Sequence, residues 1–177
     1  TYFQNVNGQP MDVAARNASL VMVLAVVGAP VGGFLTDAWH KRQKNARLLF
    51  PAISTLFTAV ILFIALRLNG SIQYIAFLLV GVSVTCFLAG SISVTQDVIH
   101  PGLRATSYAI AVIIQNLLGS SMAPVVLGRI YDKSNIETAL SILPFVLIIG
   151  AVLFYLGSRY YDSDMNKVAK IKLEAAV

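Results

Sequence analysis

Long apolar stretches separated by short polar connections dominate this chain. Each stretch is close to the roughly 17–25 residues that an α-helix needs to cross a bilayer. Because lipid offers no hydrogen-bond partner to bare backbone, a helix is the expected structure for each stretch. The predicted spans are residues 18–35, 48–66, 72–94, 105–130 and 139–161. The pattern predicts an all-α integral membrane protein with a transmembrane bundle at 18–161. An extracellular connector at 1–17, with the end of a preceding helix, would come before the bundle, and a cytoplasmic tail at 162–177 would follow it.

Composition supports this prediction and excludes several classes of protein. Hydrophobic residues make up 57% and charged residues 12%, against roughly 45–50% and about 25% in soluble domains. The basic residues lie in short loops without a continuous basic face, so we expect membrane lipid and no nucleic acid as a partner. A lone cysteine, Cys86, excludes a cysteine-cluster metal site. With no clustered acids or nucleophile–base pair at membrane depth, we expect no enzyme, no metal and no cofactor.

The distribution of Lys and Arg predicts the orientation. If the loop at 36–47 is cytoplasmic, nine of the 13 Lys and Arg residues fall on the cytoplasmic side. The positive-inside rule favours that arrangement. We therefore expect a multi-pass protein of a bacterial inner (plasma) membrane, with the N-terminus of this chain outside and the C-terminus in the cytoplasm.

Polar side chains are concentrated in the third and fourth predicted spans. Amides are costly in lipid, so Gln115 and Asn116 should face other helices or a water-filled cavity. Two roles are open for them: hydrogen bonds between helices, or contact with a bound substrate. For the hydroxyls of Thr85 and Ser120, packing or hydrogen bonding to their own helix is favoured over substrate contact. All four residues are candidates for substrate binding.

Glycines and prolines mark places where spans should pack closely or bend. Gly28 and Gly32 lie four residues apart in the first span, which lets a neighbouring helix approach the backbone. Pro30 and Pro124 lie deep inside spans, where the missing N–H predicts a kink or a local widening of the helix.

The loop after the first span resembles a known signature. Its glycine, acid and basic pair are matched by Gly33, Asp37, Lys41 and Arg42. This is the loop signature of the major facilitator superfamily. Two positions depart from it, because Ala38 replaces the first cation and His40 the second glycine. Such weakening is common in the copy found in the C-terminal half of these transporters.

A second match lies at the start of the fourth span. Residues 101–105 resemble the cytoplasmic entry to the penultimate helix of the superfamily, and the residues that follow are typical of that helix. They include Gly119, Pro124, Gly128 and Asp132, of which the first three would serve helix packing or bending. Together the matches make the chain similar to helices eight to twelve, half of a twelve-helix major facilitator bundle. Residues 96–119 also resemble spinster-type carriers and related organic-anion symporters.

The resemblance implies a secondary active transporter that moves a small solute, an organic anion or a sugar-like metabolite, by rocker-switch alternating access. It also implies a conformational latch at the cytoplasmic loop. Asp37 would favour the positive end of a helix in the opposite half, with Lys41, Arg42 and Arg104 in the same charge network and Gly33 at a packed position. This network should stabilise the outward-open state. Topology alone explains Lys41 and Arg42 equally well.

Other expectations concern what lies outside this chain. It begins with Thr1 and has an odd number of spans, so we expect a C-terminal fragment whose partner is the missing N-terminal half. No carboxylate or histidine lies at mid-membrane, so a symporter that moves a proton would have its titrating residues in that half. The co-transported ion would be a proton or sodium. An uncoupled facilitator and a non-transporting scaffold or accessory subunit are the alternatives.

Overall fold

The computed structural model describes residues 2–174, with side chains described for residues 2–168. No strand occurs among the described residues. A short helix, Tyr2–Asn5, precedes five helical spans that are long and apolar enough to cross a membrane. The spans are Met11–His40, Ala46–Ala65, Gly70–Asp97, Pro101–Lys133 and Ile136–Val168. The prediction of an all-α fold with five candidate transmembrane helices is confirmed.

The third, fourth and fifth spans are each built from consecutive helical segments. The third joins Gly70–Ser83 to Phe87–Asp97. The fourth begins with a 3₁₀ turn and contains a π-helix, and its segments are Pro101–Leu103, Arg104–Ile114, Gln115–Ser121 and Met122–Lys133. The fifth comprises Ile136–Ser141 and Leu143–Glu174.

Two helices extend beyond the apolar stretches that predict them. Residues 11–17, which the sequence places in the connector, form the first two turns of the first span. The last helix continues past residue 161 to Glu174, through most of the predicted tail. Polar residues such as Lys and Glu are good helix formers where water solvates them. The end of an apolar stretch therefore does not end the helix.

The second span lies at the centre of the described bundle. It packs against the first, third and fifth spans, and its contact with the fifth is the most extensive among the described helices. Thr55 and Thr58 on its inner face are buried, whereas Leu56 and Phe57 on its outer face are exposed. The fourth span stands apart, with its main contacts near its two ends.

The first and third spans meet along glycines of the first span. A Cβ on Gly28 would overlap the carbonyl oxygen of Val82, and a Cβ on Gly32 would overlap the backbone of Cys86. At Gly33 the Cβ would lie 3.2 Å from a side chain of the third span. The two backbones are thus in direct contact at Gly28 and Gly32, where no larger residue has room.

Polar contacts organise both ends of the bundle. The loop at residues 41–45 carries three cationic side chains, and we call the end with this loop the basic end. At the opposite end, buried Gln73 donates to the hydroxyl of Tyr2 at 2.9 Å and accepts from the amide of Asn7 at 2.7 Å. These bonds hold the residues before the first span against the third span.

Candidate functional site

The fourth span holds the strongest candidate residues and is the least covered of the five. None of its described side chains, from Pro101 to Lys133, is buried. Gln115 follows Arg104 by eleven residues, which is about 16 Å along the helix axis. That distance places Gln115 near the middle of a hydrocarbon core about 30 Å thick. An uncovered amide at that depth requires a polar partner, either water in a cavity or another helix.

Gln115 lines a small cleft between the third and fourth spans. The cleft has a volume of about 140 Å³ and is also lined by Ser91, Thr95 and Tyr108. The hydroxyls of Ser91 and Thr95 donate to carbonyl oxygens of their own helix at 2.9 and 2.7 Å. Their oxygen lone pairs stay available to accept hydrogen bonds. The cleft therefore offers both an amide donor and hydroxyl acceptors to a polar group that enters it.

The other candidates for substrate binding lie outside this cleft. Asn116 donates its amide at 2.9 Å to a carbonyl oxygen one turn earlier, and Ser120 is exposed further along the same span. Thr85 belongs to the third span and donates at 2.5 Å to the carbonyl oxygen of Ala25 in the first span. Its hydroxyl is thus engaged in helix packing, and the structure does not bring it together with Gln115.

A π-helical stretch, Gln115–Ser121, contains Gln115, Asn116 and Ser120. Pro124 follows it and lacks the N–H that would bond to the preceding turn. π-Helical turns are wider than α-helical ones and are frequent at functional sites. Gly119 and Gly128 have nothing within 4 Å of an added Cβ, so a packing role for them needs a partner outside the described residues. Pro30, by contrast, lies in the uninterrupted α-helix of the first span.

The residues of the expected latch lie around the basic end. Asp37 is exposed in the last turn of the first span, with its carboxylate 3.8 Å from the guanidinium of Arg47. Lys41 and Arg42 are exposed in the following turn and take part in no ion pair among the described side chains. Arg104 donates at 2.9 Å to a carbonyl oxygen at the end of the third span. Within this chain these residues do not form a single network.

A tighter charged cluster lies beside them and joins three spans. Arg47, at the start of the second span, donates at 2.5 Å to Oδ2 of Asp97, at the end of the third span. The hydroxyl of Tyr161, in the fifth span, donates to the same oxygen at 2.6 Å. The side chains of Arg47 and Asp97 are only 23% and 18% exposed. Since poor access to water strengthens these attractions, one carboxylate holds three span ends together.

Sequence reasoning missed this cluster. The sequence alone presents Arg47 as one cation of a basic loop and Asp97 as an acid at a span end. The signal that could have paired them is topological, because opposite charges at the same end of neighbouring spans are the ones that can meet. Tyr161 has only the position of an interfacial aromatic residue, which does not point to a hydrogen bond with Asp97.

Comparison with known proteins gives no matching family model and no matching solved structure. Several curated proteins do match. Protein spinster homolog 3 of Danio rerio is 24% identical over 170 residues, which cover 86% of this chain and 34% of the relative. The sphingosine-1-phosphate transporter SPNS2 of Danio rerio is 23% identical over 168 residues, which cover 86% of this chain and 33% of the relative. Protein spinster homolog 1 of Xenopus laevis is 23% identical over 165 residues, 84% of this chain and 31% of the relative.

The chain spans about a third of the length of these relatives. SPNS2 is named as a transporter and none of the three is named as an enzyme, in agreement with the expectation from the sequence. The matches confirm the resemblance drawn from residues 96–119. Over most of its length the chain is similar to spinster-type membrane proteins.

Proposed function

We propose that the chain is the C-terminal part of a secondary active transporter that moves a small solute by rocker-switch alternating access. One observation carries the proposal: the fourth span presents Gln115 at mid-membrane depth, in a cleft against the third span, with its side chain still exposed in the described bundle. Such an amide is costly against lipid, whereas the wall of a polar pathway requires one. The two thirds of the relatives that lie outside the match would correspond to the opposite wall.

The cleft at Gln115 suits a solute with both polar and apolar parts. Its hydrogen-bonding groups come from Gln115, Ser91 and Thr95, and Ile92 and Val112 line the rest. A sugar-like metabolite fits that mixture, whereas an organic anion would also need a cationic group from the opposite half, since the described lining residues of the cleft are neutral. Because SPNS2 is named as a sphingosine-1-phosphate transporter, that compound belongs in the first panel of solutes.

In this proposal, Asp37 is the latch residue of the basic end. Its exposed carboxylate is only loosely paired with Arg47, at 3.8 Å, so it remains available to a helix N-terminus of the opposite half. Lys41, Arg42 and Arg104 surround it on the exposed side of the same end. The latch would stabilise the outward-open state and break as the two halves rock.

Energy coupling distinguishes the main proposal from its alternatives. In a symporter the co-transported proton or sodium ion would bind residues of the opposite half, since the acids of the described spans lie near span ends. An uncoupled facilitator would move the same solutes without a dependence on either ion gradient. A scaffold or accessory subunit would not move solutes at all.

The test is uptake and efflux of a solute panel by the full-length protein in vesicles, with and without proton and sodium gradients. For the transported solute, Gln115→Ala should lower the rate by roughly fivefold to thirtyfold, because an unpaired polar group costs about 1–2 kcal/mol. Asn116→Ala should have a smaller effect, because the amide of Asn116 already bonds within its own helix. Gln4→Ala, the same change at an exposed residue outside the spans, is the matched control.

Three outcomes would contradict parts of the proposal. No transport of any solute would favour the scaffold, and transport without any gradient dependence would favour the facilitator. Equal rates for Gln115→Ala and Gln4→Ala would remove Gln115 from the solute pathway.

A further inference from the structure

The second and fifth spans pack against each other and leave a furrow along their outer surface. The half nearer the basic end is a groove of about 290 Å³, lined by side chains that include Leu49, Ile53, Leu56 and Val152. Tyr155 lies at the end of this groove. The described residues expose only apolar surface to this groove, so its natural occupant is a hydrocarbon chain.

The other half of the furrow is a second apolar groove, with a volume of about 320 Å³. Its lining includes Val60 and Phe63 of the second span and Phe145 and Ile148 of the fifth. The lining residues of both grooves recur every three or four positions along each span, so they lie on one face of each helix. The two grooves therefore follow one another along a single crevice between the spans.

An arginine lies at the outer end of each groove, where its guanidinium stacks on an aromatic residue of the groove lining. The guanidinium of Arg159 lies 5.3 Å from the ring centroid of Tyr155 and donates to its hydroxyl at 2.9 Å. At the opposite end, the guanidinium of Arg67 lies 4.9 Å from the ring centroid of Phe63. Both arginines are exposed, and neither takes part in an ion pair among the described side chains. Each is therefore a cation that can bind an external anion.

The spacing of the two arginines matches a bilayer. A Cβ on Gly157 would lie 3.6 Å from Leu48, so Arg159 is level with the start of the second span, near Ala46. Arg67 lies just beyond the other end of that span. A rise of 1.5 Å per residue puts about 30 Å between these two levels. The hydrocarbon core of a bilayer has the same thickness, about 30 Å, so the arginines lie at its two headgroup regions.

We propose that the furrow binds two anionic phospholipids, one in each leaflet, with an acyl chain in each groove and the headgroup phosphate on Arg159 or Arg67. A guanidinium can bind a phosphate through two parallel hydrogen bonds. Stacking on Tyr155 or Phe63 holds the guanidinium in place before the lipid arrives. The site is separate from the cleft at Gln115, and it does not depend on which solute the protein moves.

The first test counts lipids retained by the full-length protein in detergent, using native mass spectrometry with added phosphatidylglycerol or phosphatidylcholine. We expect two molecules of phosphatidylglycerol and weaker retention of phosphatidylcholine. Arg159→Gln and Arg67→Gln should each weaken the binding of one phosphatidylglycerol by about fivefold, and the double variant should weaken both. Arg159→Lys keeps the charge but loses the paired hydrogen bonds and the stacking on Tyr155, so its binding should lie between that of the unmodified protein and that of Arg159→Gln. Arg16→Gln, at an exposed arginine outside the furrow, is the matched control.

A second pair of variants tests the groove itself. Val152→Trp places a large ring in the groove nearer the basic end and should displace the lipid held by Arg159 while sparing the one held by Arg67. Val146→Trp is the same change at an exposed residue of the same helix that lines neither groove, and it should retain both lipids.

Several results would overturn the proposal. One is equal retention of phosphatidylcholine and phosphatidylglycerol, and another is an unchanged lipid count in Arg159→Gln and Val152→Trp. If the protein retained no lipid but formed a dimer, and Val152→Trp disrupted that dimer, the furrow would be assigned to a second copy of the chain instead.

Discussion

Asp97 joins three spans at the basic end. Its Oδ2 accepts hydrogen bonds from Arg47 and from Tyr161, so a single carboxylate oxygen of the third span is bonded to the second and the fifth spans. Among the described residues, the buried Nε atom of Arg47 has no hydrogen-bond partner, which makes the guanidinium depend more heavily on the carboxylate. A half-buried cation that loses its anion keeps the cost of desolvation without the attraction that offsets it.

Asp97→Asn should therefore lower the free energy of unfolding by about 1–3 kcal/mol, a range for a partly exposed pair that loses a charged hydrogen bond. The measurement is thermal unfolding of the full-length protein in detergent. Asp37→Asn removes a carboxylate from the same Arg47, but from an exposed position at 3.8 Å. That control should change stability by less than about 0.5 kcal/mol. Equal losses in the two variants would show that the Asp97 cluster adds no stability of its own.

At the scale of whole elements, the sequence predicts the number of spans better than their ends or their neighbours. Apolar length depends on hydropathy alone, so the five spans could be recognised. Their ends could not, because residues 11–17 and 162–174 include charged and amide side chains yet remain helical. The central place of the second span was also hidden, since Thr55 and Thr58 give no sign of how many helices surround them.

The candidate site was predictable to a similar extent. Amides at mid-membrane stand out in any apolar stretch, which is why Gln115 could be recognised. The cleft that it shares with Ser91 and Thr95 depends on how two helices are rotated against each other, and a hydropathy pattern does not contain that rotation. For the same reason, the hydrogen bond from Thr85 to the first span appears only in the structure.

The contact between the first and third spans gives a prediction at this scale. Gly32→Ala should cost about 3 kcal/mol or more in stability, because the added methyl group overlaps the backbone of Cys86 and neither helix can yield locally. Gly150→Ala is the matched control, since its Cβ would make an ordinary 3.9 Å contact with Thr55. It should leave stability unchanged or raise it by up to about 1 kcal/mol, through better helix propensity. The measurement is thermal unfolding of both full-length variants. Equal stability of Gly32→Ala and Gly150→Ala would contradict direct backbone contact between the first and third spans.

For the molecule as a whole, the described spans divide into a packed group and one span held near its ends. The first, second, third and fifth spans share broad contacts, while the fourth contacts its neighbours near its start and its finish. Polar nodes tie the packed group at both ends, at Asp97 and at Gln73. In the proposed transporter, this division would suit a rigid unit that moves as one body, with the fourth span facing the opposite half.

The proposed latch gives a prediction for the moving protein. Asp37→Asn should lower the ratio of outward-open to inward-open protein by about twofold to fivefold, since a carboxylate at a helix N-terminus contributes about 0.3–1 kcal/mol. The shift can be measured as the side from which a Ser120→Cys variant, otherwise free of cysteine, reacts with a membrane-impermeant thiol reagent. Asp12→Asn, at the start of the first span, is the control. Unchanged labelling and unchanged transport in Asp37→Asn would remove Asp37 from the latch.

The arginines above the two grooves also fix how deep the bundle sits in a membrane. Arg67 and Arg159 belong to helices that are packed tightly together, so neither arginine can move towards the other when the bilayer becomes thinner. The bundle would then have to tilt, or the surrounding lipid would have to stretch to meet both charges. Either adjustment carries a modest energetic cost per ångström of mismatch. A packed crevice of this kind would make the protein sensitive to acyl-chain length, with the best fit in bilayers whose hydrocarbon core is about 30 Å thick.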